Sequence, residues 1–163
     1  MSTEQIDRHS AIGFLIGAED FYRAAVHLAS SQQQRALKLR SKDTISYHLH
    51  THSIELALKA YLRARELSYD EIWKNYQHKL DRLLEASVRF GLRPKKPKRT
   101  TQLVGWLNEL LKEQTFRYRK TGSLTLPVLD DVRTANERLL AAIEPTVLTA
   151  ANLNPAASAT RGR

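Results

Sequence analysis

From residue 11 to about residue 39, apolar side chains recur at Phe14, Ala18, Phe21, Ala25 and Leu28, in steps of four, three, four and three. That is the period of one face of an α-helix, and Leu15, Tyr22 and Ala29 widen the stripe to the breadth a core-facing helix needs. Residues 41–43 read as a turn, with Asp43 placed to cap a second helix over about 44–66. On a helical wheel this second helix has two apolar faces. Ile45, Leu49, Leu56 and Ala60 form one, and Tyr47, Ile54, Leu58, Tyr61 and Leu62 form the other. A helix apolar on two sides is central to its bundle, or covers a core with one face and a partner with the other.

Beyond it, residues 67–76 read as a connector in which Asp70 caps a short turn that includes Trp73. A third helix is predicted over 77–90 with Leu80, Leu83, Leu84 and Val88 inward, stopped by Gly91 in a left-handed conformation. Thr101 is placed to cap a fourth helix whose inner face is Leu103, Val104, Leu107, Leu110 and Leu111. A loop over 116–125 follows. Pro127 then opens a fifth helix with Val128, Val132, Ala135, Leu139 and Ile143 inward. The expected fold is therefore all-α, an up-and-down bundle of four to five helices over residues 1–145. Residues 146–163, poor in large side chains, are expected to form a disordered tail.

Charge sharpens this picture. The chain has 163 residues, 26 Lys+Arg and 17 Asp+Glu, for a net charge of +9. Residues 93–99 hold Arg93, Lys95, Lys96, Lys98 and Arg99 with no acid, and residues 117–120 hold Arg117, Arg119 and Lys120. The rest of the chain is nearly neutral, so two short segments carry the field. They are candidates for nucleic-acid phosphates or an acidic protein surface, or are simply solvated loops. They flank the fourth helix and are expected near its opposite ends. The absence of cysteine excludes disulfides, thiolate metal sites and a cysteine nucleophile. No apolar stretch reaches the length of a signal core or membrane span, which points to a cytoplasmic protein without a membrane partner.

Candidate chemistry is sparse. His48, His52, Glu55 and Lys59 line a narrow polar stripe on the second helix, and His78 is assigned to the same polar seam. Two imidazoles four apart with a carboxylate one turn on make an acceptable zinc or nickel set. Lys59, however, would put a cation beside the metal, and a Glu55–Lys59 pair explains the residues equally well. No metal and no cofactor is therefore expected. Arg23 and His27 share a helix face and are read as a solvated pair. No phosphate-binding loop, dinucleotide fingerprint or nucleophile elbow occurs.

Two segments resemble a known family. The run His52-Ser-Ile-Glu-Leu-Ala-Leu-Lys-Ala-Tyr-Leu62 is similar to the second-helix signature of HEPN domains. Tyr76-Gln-His-Lys-Leu-Asp-Arg-Leu-Leu84 resembles the His-x-Leu-x-x-Leu motif that opens the family's next helix. Phe21-Tyr-Arg-Ala-Ala25 and Phe116-Arg-Tyr-Arg119 fit as well, and the resemblance covers about residues 11–144. It implies a four- or five-helix bundle, usually a symmetric dimer, in a family of RNA-cleaving toxins, partners of minimal nucleotidyltransferases and domains without known catalysis. The family's ribonucleases carry an Arg-x4–6-His motif late in the bundle. Here Arg117 and Arg119 are followed by no histidine, since the last is His78.

Two functional readings follow. The first is a non-catalytic interaction module, a homodimer binding a protein partner encoded nearby, in a toxin–antitoxin, nucleotidyltransferase-associated or defence system. The second is an RNA-binding protein, or an atypical metal-independent ribonuclease, using the basic loops.

Overall fold

The computed structural model describes residues 9–33, 42–113 and 125–153. Among them are six helices and no strand: α1 Ala11–Gln33, α2 Lys42–Ala64, α3 Tyr69–Asn75, α4 Leu80–Arg89, α5 Pro97–Lys112 and α6 Leu129–Leu153. They form an all-α bundle in which α2 packs on α1, α6 and α4, α1 also meets α6, and α5 lies against α4. No helix among the described residues is long and apolar enough to cross a membrane.

The expected stripe on α1 is buried at Phe14, Leu15, Ala18, Ala25 and Leu28. Small residues let α1 approach closely: a Cβ on Gly17 would stand 3.2 Å from Leu56 Cδ1 of α2. Ser10 accepts from the Gly13 amide at 3.0 Å and caps the helix. On α2, Tyr47, Ile54, Leu58, Tyr61 and Leu62 are buried as expected, but the face of Ile45 and Ala60 is not apolar throughout: Ile45 is exposed and Ser46 and Ser53 are buried, and elsewhere on the helix His50 and Thr51 are buried as well. For His50 and Ser53 the reason is a polar layer shared with α1 and α6. Ser53 Oγ donates to the Ala18 carbonyl at 2.7 Å and lies 3.1 Å from Asn136 Oδ1. Asn136 Nδ2 in turn lies 3.2 Å from His50 Nδ1. Burial, aided by the Arg133 charge, pushes the His50 imidazole down to about 4, so it is neutral near pH 7. Tyr47 adds a hydroxyl bond to the Pro127 carbonyl, fixing the approach to α6.

Several boundaries differ from expectation. Helix α2 already runs at Lys42, so Asp43 lies inside its first turn. The connector contains a true helix, α3, capped by Ser68 rather than Asp70. Ser68 accepts from the Glu71 amide while Glu71 accepts from the Ser68 amide, a capping box. Gln77, with φ of 50°, holds the backbone out of helical conformation, so the next helix starts at Leu80 and not at 77. In α4 the inward positions after Leu84 are taken by Ala86 and Ser87, the Ser87 hydroxyl donating to the Leu83 carbonyl at 2.8 Å, and Val88 turns outward. Val128, also expected inward, precedes α6 and is exposed. Thr101 is inside α5, which begins four residues earlier at Pro97. Finally, α6 continues through Pro145 to Leu153, and Val147 is fully buried in the core, so the bundle extends past the boundary expected at 145. Pro145 is tolerated because it faces solvent, as does Ala141, whose carbonyl loses its helical donor. Residues 34–41, 114–124 and 154–163, including Arg117, Arg119 and Lys120, lie outside the described residues.

Candidate nucleic-acid interface

The connector between α4 and α5 is built by two left-handed residues. Gly91, with φ of 104°, ends α4 in a Schellman motif: its amide reaches the Val88 carbonyl at 3.0 Å, and the Leu92 amide reaches Ser87 at 2.9 Å. Leu92 is buried as the hydrophobic closure of the motif. Arg93 then folds back, with Nη1 at 3.3 and 3.2 Å from the Val88 and Leu92 carbonyls. Lys96, with φ of 52°, precedes Pro97 at the start of α5, and no side chain caps that helix end. Lys95, Lys96, Lys98 and Arg99 thus crowd the positive end of a helix dipole, an arrangement that favours an anion.

Facing this connector are α6 and the end of α2. Arg65, just past α2, donates from Nε to the Tyr61 hydroxyl at 3.3 Å, and its guanidinium carbon lies 5.5 Å from that ring's centre. The Tyr61 hydroxyl donates to the Phe90 carbonyl at 3.2 Å, so the aromatic ring couples Arg65 to the connector. Between the two walls lies a cavity of about 650 Å³. Its lining includes Arg65, Arg93, Lys95, Arg138, Thr134 and Glu137. A smaller cavity of about 180 Å³ adjoins it, lined by Lys96, Arg99, Thr100, Asp131 and again Thr134 and Arg138. There Arg99 Nη2 pairs with Asp131 Oδ2 at 2.7 Å.

The structure thus gathers Arg93, Lys95, Lys96 and Arg99 of the expected basic segment along one groove, and Lys98 lines neither cavity. It adds two cations the linear pattern did not point to, Arg65 and Arg138. No protein-family model, curated protein or solved structure matches this chain. The site must be read from its own chemistry. Six cations against two carboxylates line the groove, and it is open enough to admit a phosphate-bearing chain.

The polar seam assembles elsewhere on α2. Glu55 is buried and accepts on Oε1 from Lys59 Nζ at 2.6 Å and from His78 Nδ1 at 2.8 Å. His52 Nδ1 lies 3.9 Å from the other carboxylate oxygen, and the His48 ring stacks on His52 at 6.3 Å. Burial lowers the His52 imidazole below its ordinary value. Glu55 opposes this shift, while His48, Lys59 and His78 add to it. The carboxylate is thus spent on neutralising Lys59 and anchoring the turn before α4. Among the described residues no group of three or more His, Asp or Glu is arranged to hold a metal. Arg23 and His27 do not pair with each other: Arg23 bonds Glu19 at 3.0 Å, and His27 lies 3.3 Å from Ser31 Oγ.

Proposed function

We propose that this chain is a non-catalytic, HEPN-like RNA-binding module whose ligand lies in the groove between α6 and the α4–α5 connector. The observation that supports this reading is the convergence of Arg65, Arg93, Lys95 and Arg138, from three separate stretches of the chain, on one cavity of about 650 Å³. Such a set neutralises phosphates and carries no base information by itself, so binding is tolerant of sequence. The non-catalytic part rests on the sequence, in which no histidine follows Arg117 or Arg119 to move a proton.

The test is fluorescence anisotropy with a labelled single-stranded RNA over a range of salt. Four phosphate contacts give a slope of log K against log salt of about −3 for a single strand. Replacing Arg65, Arg93, Lys95 and Arg138 together by Gln should abolish binding with the helical circular dichroism spectrum retained. Binding that ignores both salt and this variant would reject the reading.

A second reading, a self-associating module that engages a protein partner, is favoured by a different observation. Val88 and Phe90 turn outward at the end of α4, and Trp73 and Trp106 are exposed as well. Sedimentation of the native chain against Phe90→Ser separates a homodimer built there from a monomer.

A further inference from the structure

The two cavities are neighbours with a common wall. Thr134 and Arg138 line both, and the remaining lining splits cleanly: Arg65, Arg93 and Lys95 on one side, Lys96 and Arg99 on the other. Along α6 the lining runs from Asp131 to Thr146, roughly 20 Å by helix rise. That is the shape of a track, not of a cup for one compact anion.

We infer that the groove holds consecutive phosphodiesters of one single strand in two adjoining subsites, with Arg138 as the cation common to both and Asp131 as an internal competitor in the smaller one. This rests on the RNA-binding reading and specifies it. Arg138 is half-buried on the α6 face that lines both cavities, and its guanidinium makes no hydrogen bond or ion pair among the described residues. Its five donors are available in a planar fork, suited to phosphate oxygens on either side. Arg99, by contrast, is already engaged at 2.7 Å by Asp131. A phosphate entering the smaller subsite must take Arg99 from that carboxylate, and it meets the Asp131 charge as it does so. The larger subsite holds no such competitor for Arg93 or Lys95. Glu137, its one carboxylate, lies 3.5 Å from Arg133. Occupation is therefore sequential: the first phosphate fills the open subsite, and its covalent neighbour is then delivered to the guarded one at high effective concentration. A lone phosphate or mononucleotide gains nothing from the second subsite.

The experiment is competition against a labelled oligouridylate long enough to span the groove, at low salt, with unlabelled oligouridylate, uridine monophosphate and inorganic phosphate as competitors. Per phosphate, the oligomer should compete at least about tenfold better than the monophosphate. Arg138→Gln should erase that preference, Asp131→Asn should tighten the oligomer several-fold, and Lys98→Gln should weaken all ligands alike. If the monophosphate competes as well per phosphate as the oligomer, or if Arg138→Gln behaves like Lys98→Gln, the two-subsite track is overturned and the RNA-binding reading stands. If the native chain binds none of these probes, the RNA-binding reading itself falls, and the track with it.

Discussion

A Cβ added to Gly91 would stand 3.0 Å from the Arg65 Nη2 and 3.5 Å from the Tyr61 hydroxyl. The same residue has φ of 104°, where an L side chain is strained whatever the space. Backbone geometry and cation placement therefore meet at one position. Gly91→Ala should cost about 1–2 kcal/mol in urea denaturation. It should also weaken RNA binding beyond any loss of folded protein, because Arg65 must move. Native affinity in the folded fraction would dissociate the two roles.

Acid should weaken the fold through His50. Its folded-state pKa is about 4 against 6.5 when exposed, so the unfolded chain binds the extra proton between these values. The stabilisation is fully present above pH 6.5 and is lost as pH falls toward 4, with an upper limit of about 3 kcal/mol. His52, lowered by burial, acts in the same direction. Urea midpoints measured between pH 7.5 and 4.5 should fall steadily for the native chain and less steeply for His50→Gln.

Glu55 and Lys59 are a covered ion pair, with only 6% and 7% of their side chains accessible. Glu55→Leu alone strands an ammonium and should cost about 3–5 kcal/mol. Glu55→Leu combined with Lys59→Met should recover most of that loss. His78→Ala should cost much less, since its ring is 61% accessible. Thermal melting of the three variants measures each loss.

The Thr51 hydroxyl is buried without a hydrogen-bond partner. Thr51→Val keeps the shape and removes the desolvated oxygen, and should stabilise by about 1 kcal/mol, or roughly 2–4 °C in Tm.

Past Pro145, Val147 is fully buried. Val147→Ala should cost about 2 kcal/mol. Ending the chain at Glu144 should cost more, because Thr146, Val147 and Leu148 all leave the end of α6. An unchanged melting temperature for the truncated chain would show that this last stretch contributes nothing to the fold.

The helices and most of the core were legible because periodicity is local. Phe14, Ala18, Ala25 and Leu28, or Leu103, Val104, Leu107 and Leu110, announce their faces without knowledge of any partner. Some missed features were also local. Ser68 with Glu71 three residues later is a capping box written in the chain, and it displaces Asp70. Others were not. Lys96 and Gln77 adopt left-handed conformations that no glycine marks. Ser87 takes a core position from Val88 because its hydroxyl bonds back to the helix. The polar seam was readable from the spacing of His48, His52, Glu55 and Lys59 along one helix. The groove was only half readable: its basic segment is contiguous, but Arg65 and Arg138 join it through tertiary closure, with nothing in their own neighbourhoods to mark them.

That closure has a kinetic side. Helices α1 and α2 follow one another in sequence, whereas α6 reaches them through bonds such as Ser53 to Asn136, 83 residues apart. Short-range contacts of this kind form early, and pairing across so long a stretch carries the larger loop-closure entropy. Since α6 supplies one wall of the groove, no complete phosphate track exists until α6 has seated. A polyanion that fits the groove then favours the seated state alone: in stopped-flow unfolding it slows the departure of α6, and in refolding it leaves the α1–α2 association rate as it was.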